Sequence, residues 1–164
     1  MTTDVTDAGG MGLDVDALGN TDPILSIAEE VFSAMIDGEP GLLNPWYGDR
    51  PDPVEPMHAW VDVHEAGSGR VLIEAERGTV VELTRALLAM GPDEEVTEAD
   101  MVDGLGEVAN VVGGNVKALV PETGVLTLPQ VSSERPPTPA EDLLHELALD
   151  WRGRLVVLSL WRLP

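Results

Sequence analysis

The chain contains no cysteine and few basic or aromatic residues. The absence of cysteine excludes disulfides, thiol catalysis and thiolate metal sites. Only 9 basic residues accompany 30 acidic ones, which gives a formal net charge of -21. Because nucleic acids and anionic membranes bind clustered Lys and Arg, this balance argues against either of them as a partner.

Long hydrophobic runs are also missing. No apolar stretch approaches the roughly 20 residues needed to cross a bilayer, and the first ten residues lack the basic region and apolar core of a secretory signal. We therefore expect a cytoplasmic protein. The 164 residues suit one domain, with residues 1–20 as a flexible acidic tail and residues 21–164 as the folded part.

The segment 97–120 has the pattern of one amphipathic helix. At about 100° per residue, five residues fall on a single stripe: Asp103, Glu107, Asn110, Gly114 and Lys117. The opposite side is a continuous apolar seam, formed by Leu105, Val108, Ala109, Val112, Val116 and Leu119. A helix of this kind buries the seam and exposes the stripe.

Glycine is frequent on the side of this helix that we expect to be exposed. Gly104, Gly106, Gly113 and Gly114 each cost roughly 1 kcal/mol relative to alanine inside a helix. Because glycine removes side-chain bulk, these positions predict a docking face that a second surface can approach closely. The alternative, an ordinary solvated face, stays open, because most polar helix stripes are no more than that.

The same helix resembles the signature helix of the CheC/CheX/FliY chemotaxis phosphatases. The resemblance rests on three motifs in order, namely Asp103-x-x-x-Glu107-x-x-Asn110, Gly114-Asn115-x-Lys117 and Pro121. The pattern occurs once, as in the CheX branch, whereas CheC-like relatives have two copies. Close similarity covers residues 103–121, and the order of elements agrees with the family over most of the remaining chain.

The resemblance implies a substrate and a role for each residue of the stripe. The substrate would be a CheY-like response-regulator receiver domain phosphorylated on aspartate, and the receiver would supply the Mg²⁺, so the chain needs no cofactor of its own. Asn110 would position the attacking water and Glu107 would pair with a receiver lysine, which makes these two the catalytic candidates. Asp103 and Gly114 would belong to the partner-binding surface.

Two other functions fit the same residues. A catalytically silent module on the same fold would bind the receiver without turnover, and an assembly protein like the flagellar-switch relatives would use the signature for docking. The sequence does not separate the silent module from a phosphatase, because both retain Glu107 and Asn110.

A homodimer is expected on two grounds. The CheX branch works as a homodimer, and a chain with one signature needs a second copy to present two sites. In addition, residues 155–161 have apolar side chains on both faces, which we interpret as a bare sheet edge that pairs with another chain.

The remaining chain predicts an α+β domain in the order α-β-β-α-α-β-β-β. Strand patterns occur at residues 57–65, 70–76, 124–131, 143–150 and 154–161. Together with the helices they predict an antiparallel sheet packed with helices, the CheC/CheX-like α/β sandwich. A Pro-rich loop at residues 39–56 is expected to pack its aromatic pair, Trp46 and Tyr47, onto this body.

Helix starts are marked by three local signals. Asp22 followed by Pro23 predicts an N-cap with proline in the first helical position. Thr79-x-x-Glu82 and Thr97-x-x-Asp100 each predict a capping box, the second of them for the signature helix.

No metal site is predicted from the histidines. His58 and His64 share a face of one predicted strand, but six residues along a strand is too far for both to bind one ion. His145 has no assigned neighbour, and the acidic residues of the stripe form no compact ligand set.

Overall fold

The computed structural model describes residues 22–64, 68–120 and 124–164. In these residues an antiparallel sheet of seven strands packs against three α-helices, which confirms the expected α+β sandwich. The predicted tail at residues 1–20 lies outside the described residues, as does Pro121. None of the described helices is long and apolar enough to span a membrane.

The helices and strands follow the predicted order along the chain, with two differences. A short strand precedes the first predicted one, and residues 124–131 contain two short strands instead of one. The helices are α1 (Pro23–Val31), α2 (Arg77–Leu87) and α3 (Glu98–Lys117). The strands are β1 (Leu43–Pro45), β2 (Pro56–His64), β3 (Gly69–Glu76), β4 (Val125–Leu126), β5 (Gln130–Ser132), β6 (Leu143–Trp151) and β7 (Arg154–Arg162). Their order across the sheet is β1-β6-β7-β3-β2-β4, and β5 also pairs with β2.

Two of the three predicted helix starts are confirmed. The Asp22 carboxylate accepts a hydrogen bond of 2.9 Å from the backbone N–H of Ile24, at the start of α1. At the start of α3, Thr97 and Asp100 form a reciprocal capping box with hydrogen bonds of 3.0 and 3.1 Å. These two caps fix the first residues of α1 and of α3, the signature helix.

The capping box predicted at Thr79 is wrong. The chain passes directly from β3 into α2, which begins at Arg77, so Thr79 lies inside the first turn and is buried. The backbone N–H of Arg77 donates to the carbonyl of Glu55 at 3.0 Å, which anchors this start. The Arg77 guanidinium also pairs with Glu98, and this contact raises the pKa of Arg77 while it joins the starts of α2 and α3.

The Pro-rich loop is partly a strand. Within residues 39–56, β1 pairs with β6 at one edge of the sheet, and the backbone N–H of Trp46 extends that pairing to the carbonyl of Ala148 at 2.9 Å. Trp46 is half-buried, whereas Tyr47 is 84% exposed. Only one member of the aromatic pair therefore packs onto the body.

The strand predicted at residues 124–131 is two strands, β4 and β5, which both pair with β2. Between them, the backbone N–H of Thr127 donates to the Asp62 carbonyl at 2.8 Å, and its hydroxyl accepts from the Asp62 N–H at 2.9 Å. Pro129 has no N–H to donate. The side-chain bond and the proline together interrupt the regular ladder.

The last strand lies inside the sheet, so the prediction of a bare edge at residues 155–161 is wrong. β7 pairs with β6 on one side and with β3 on the other. One face of β7 is buried in the main core. On the opposite face, Trp161 packs with Trp60 and Leu72 in a second, smaller cluster, which explains why both faces are apolar.

Candidate functional site

Helix α3 exposes the predicted stripe and buries the predicted seam. Asp103 and Glu107 are exposed, and Asn110 and Gly114 are half-buried. The residues of the seam are almost fully buried: Leu105, Val108, Ala109, Val112 and Val116. Leu119 is the exception at 41% exposed, because it lies beyond the last residue of the helix.

The polar side chains of the stripe have no partner in the described part of the chain. Asp103, Glu107 and Asn110 make no side-chain hydrogen bond or ion pair there. Asn115 differs, because its side-chain amide donates to the Val111 carbonyl at 2.8 Å. The Asn110 carboxamide therefore keeps its donor and acceptor groups available for a molecule outside the chain.

The glycines of α3 do not form an exposed docking face, and this prediction is wrong for three of the four. Gly104, Gly106 and Gly113 are buried. Of the four, only Gly114 faces open space in the described part of the chain, since a Cβ atom built on it would meet no described atom within 4 Å.

The buried glycines lie where α3 comes close to its neighbours. A Cβ atom on Gly113 would overlap Cγ2 of Val61, a core residue of β2. A Cβ atom on Gly104 would lie 2.9 Å from Oγ1 of Thr84 in α2, a buried hydroxyl that has no hydrogen-bond partner among the described residues. These glycines therefore set the distance of α3 from the sheet and from α2, which fixes the position of the stripe.

An apolar segment beside the stripe was missed by the sequence analysis. A Cβ atom on Gly113 would touch Leu126 at 3.6 Å, and one on Gly106 would touch Pro129 at 3.6 Å, so the β4–β5 segment follows α3. Leu128 lies between these two contacts and is 85% exposed. Pro129, which follows Leu128 and interrupts the strand pattern, is the sequence signal that could have identified this segment.

Two of the three histidines lie beside carboxylates. His58 Nδ1 is 2.9 Å from Glu74 Oε2, and His145 Nε2 is 2.9 Å from Asp22 Oδ2. His64 is exposed at the end of β2. Within the three described ranges, no three His, Cys, Asp or Glu side chains converge on a position for a metal ion.

Comparison with known families identifies the chain. The sequence profile of the family described as "Chemotaxis phosphatase CheX" matches residues 57–146, more than half of the 164 residues. The chain belongs to the CheX family. The matched region extends from β2 into β6 and includes the whole of α3. A search of curated protein sequences finds no match.

The fold of this CheX-family chain is similar to those of several crystal structures. CheX from Vibrio vulnificus has a TM-score of 0.64 at 19% identity, over 86% of this chain and 94% of that one. CheX from Desulfovibrio desulfuricans has a TM-score of 0.65 at 16% identity, over 86% and 97%. The CheX-CheY-BeF₃-Mg²⁺ complex from Borrelia burgdorferi has a TM-score of 0.61 at 18% identity, over 90% and 97%. At these identities the likeness shows the fold.

Proposed function

We propose that this CheX-family protein hydrolyses the aspartyl phosphate of a CheY-type receiver domain, with the stripe of α3 as the docking and reaction surface. The main support is Asn110, a half-buried carboxamide that has no partner of its own in the described residues and follows Glu107 by three positions on the exposed side of α3. The Borrelia burgdorferi relative, crystallised with CheY, BeF₃ and Mg²⁺, supports the choice of partner.

The proposed reaction needs little more from the phosphatase than a positioned water. The receiver would hold the acyl phosphate and its Mg²⁺, so the remaining task is to align a water with the phosphorus atom. Asn110 would do this because a carboxamide both donates and accepts hydrogen bonds and has no charge to repel phosphate. Water attacks phosphorus, the bond to the aspartyl oxygen breaks, and the products are inorganic phosphate and the free carboxylate.

Docking would depend on the acidic part of the stripe. Glu107 is exposed and unpaired in the described chain, so it is available to a lysine of the receiver. Asp103 lies one turn earlier on the same side and adds a second negative charge. The open space around Gly114 allows the receiver to approach the helix close to Asn110.

Substitutions of Glu107 should lower receiver affinity in a graded order. We expect Glu107→Gln to weaken binding about tenfold, a loss of about 1.4 kcal/mol, because the ion pair with the receiver lysine is lost. Glu107→Lys should weaken it further by like-charge contact. Calorimetric titration with a BeF₃-activated CheY-type receiver measures both affinities.

The matched control for Glu107→Gln is Glu29→Gln, which removes the same charge from an exposed position on α1. This variant should bind like the wild type. Equal affinities for the wild type and both Glu107 variants would count against docking through this residue.

A homodimer remains part of the proposal, although β7 does not provide its edge. The support is the single copy of the signature in the chain. Two-fold pairing through an outer strand of the sheet, β1 or β4, would place one stripe on each protomer. Light scattering at micromolar concentration should give about twice the monomer mass of 17.5 kDa, and a value at the monomer mass would exclude the dimer.

A further inference from the structure

A concave site lies away from α3, where the Pro-rich loop, strands β3 and β7 and the start of α2 meet. A cavity of about 670 Å³ opens between the Pro-rich loop and the outer face of the sheet. Its apolar wall comes mainly from the loop and from β7, and includes Trp46, Pro51, Pro53, Leu155 and Val157. The volume is within the range of about 300–1,000 Å³ that is usual for small-molecule sites.

Basic side chains are concentrated at this cavity although they are scarce in the chain. Four of the 9 basic residues line it: Arg50, Arg135, Arg152 and Arg154. The first three are paired with carboxylates at 3.0, 3.5 and 2.5 Å, namely those of Glu146, Glu74 and Asp37. Their charges are therefore largely neutralised within the protein.

Arg154 is the exception among these arginines. It makes no hydrogen bond or ion pair with any described residue, although the chain contains 30 acidic side chains. It is half-buried at the start of β7, where a Cβ atom built on Gly78 in the first turn of α2 would lie 3.7 Å from its Nη1. Because removing a guanidinium from water is costly without a paired anion, this position favours an anion supplied by a ligand.

We propose that the cavity binds a small organic monoanion, a carboxylate attached to an apolar body. The carboxylate pairs with Arg154, since a guanidinium matches a carboxylate through two parallel hydrogen bonds. The apolar body lies against Trp46 and the side chains of β7. The lining residues come from elements other than α3, so ligand binding here requires neither the receiver nor the phosphatase reaction.

The carboxylates in the wall explain why a single negative charge fits better than two. Glu74 and Glu146 are paired with arginines, whereas Glu76 makes no ion pair with any described residue and accepts a hydrogen bond of 3.0 Å from the backbone N–H of Val54. Its charge offsets part of the attraction of Arg154. A carboxylate is therefore preferred over a dianionic phosphate.

The indole N–H of Trp46 gives a specific readout for this proposal, because Trp46 is the tryptophan in the cavity lining. Its signal in proton–nitrogen correlation spectra can be assigned with Trp46→Phe and followed during titration with octanoate. We expect a saturable shift in the wild type. Arg154→Gln should require about tenfold more octanoate, since a charge-assisted hydrogen bond is lost.

Two controls isolate the role of the charge. Arg162→Gln removes one positive charge from the far end of β7, outside the cavity, and should titrate like the wild type. Octanol has the same chain length without the carboxylate, and should bind the wild type about tenfold more weakly than octanoate does. No shift of the Trp46 signal with octanoate, or equal octanoate affinities for the wild type and Arg154→Gln, would overturn the proposal.

Discussion

Replacement of Asn110 by alanine should lower the rate of receiver dephosphorylation by at least about 100-fold, because loss of one precisely placed group commonly has an effect of this size. Fold and receiver affinity should be nearly unchanged. The Asn110 side chain lies on the exposed side of α3 and has no partner in the described chain, so its truncation leaves no core cavity.

The measurement is phosphate release at saturating receiver, accompanied by calorimetry and thermal unfolding of the same samples. Asn115→Ala is the matched control, since Asn115 is on the same helix but its amide is bonded to the carbonyl of Val111. This control should keep the wild-type rate. A wild-type rate in Asn110→Ala would show that the role assigned to Asn110 is wrong.

Gly113→Ala should destabilise the protein by about 1–3 kcal/mol, the usual cost of forcing an extra group into a packed core. The new methyl would overlap Cγ2 of Val61 in β2, so α3 or the strand must shift. The adjacent substitution, Gly114→Ala, should instead stabilise by up to about 1 kcal/mol, because alanine favours the helix and the position is open.

Urea and thermal unfolding of the two alanine variants measure these opposite changes in the free energy of unfolding. The result also separates two interpretations of the glycines. If both were docking positions on the exposed face, both substitutions would stabilise the isolated protein. A Gly113→Ala variant that is as stable as Gly114→Ala would contradict close packing of α3 on β2.

The sequence predicts α3 well because the relevant signals are local. The capping box at Thr97 and Asp100 fixes the start of the helix, and the helical period then assigns each residue an angle. The stripe that contains Glu107 and Asn110 follows from that angle alone. Only the structure shows that the polar side chains of the stripe have no partner among the described residues, because this depends on residues distant in sequence.

The prediction that the glycines of α3 form an exposed docking face was wrong for a physical reason. The helical period gives the angular position of each residue around the helix, but not which other elements pack there. Gly104, Gly106 and Gly113 lie about 60–100° from the centre of the stripe, at the borders between the exposed and buried sides. Both borders are occupied, one by α2 and the other by β2 with the β4–β5 segment. Only the tertiary packing reveals this.

Strand β7 shows that a local pattern does not identify the neighbours of a strand either. A strand with two apolar faces fits an edge that pairs with another chain and also fits an interior strand covered on both sides. Pairing of β7 with β3 and β6, and the contact of Trp161 with Trp60, decide for the interior. These contacts join residues far apart in sequence. A local sequence pattern also could not show that Arg154 lines a cavity and has no partner among the described residues.

The most direct test of the proposed function is the lifetime of the aspartyl phosphate on a CheY-type receiver, measured in Mg²⁺ with and without this protein. We expect the wild type in substoichiometric amounts to shorten the lifetime by at least about 100-fold, equivalent to about 2.7 kcal/mol of barrier, and Asn110→Ala to leave it nearly unchanged. An unchanged lifetime at saturating wild-type protein, with receiver binding verified by calorimetry, would contradict catalysis and leave a silent receiver-binding module.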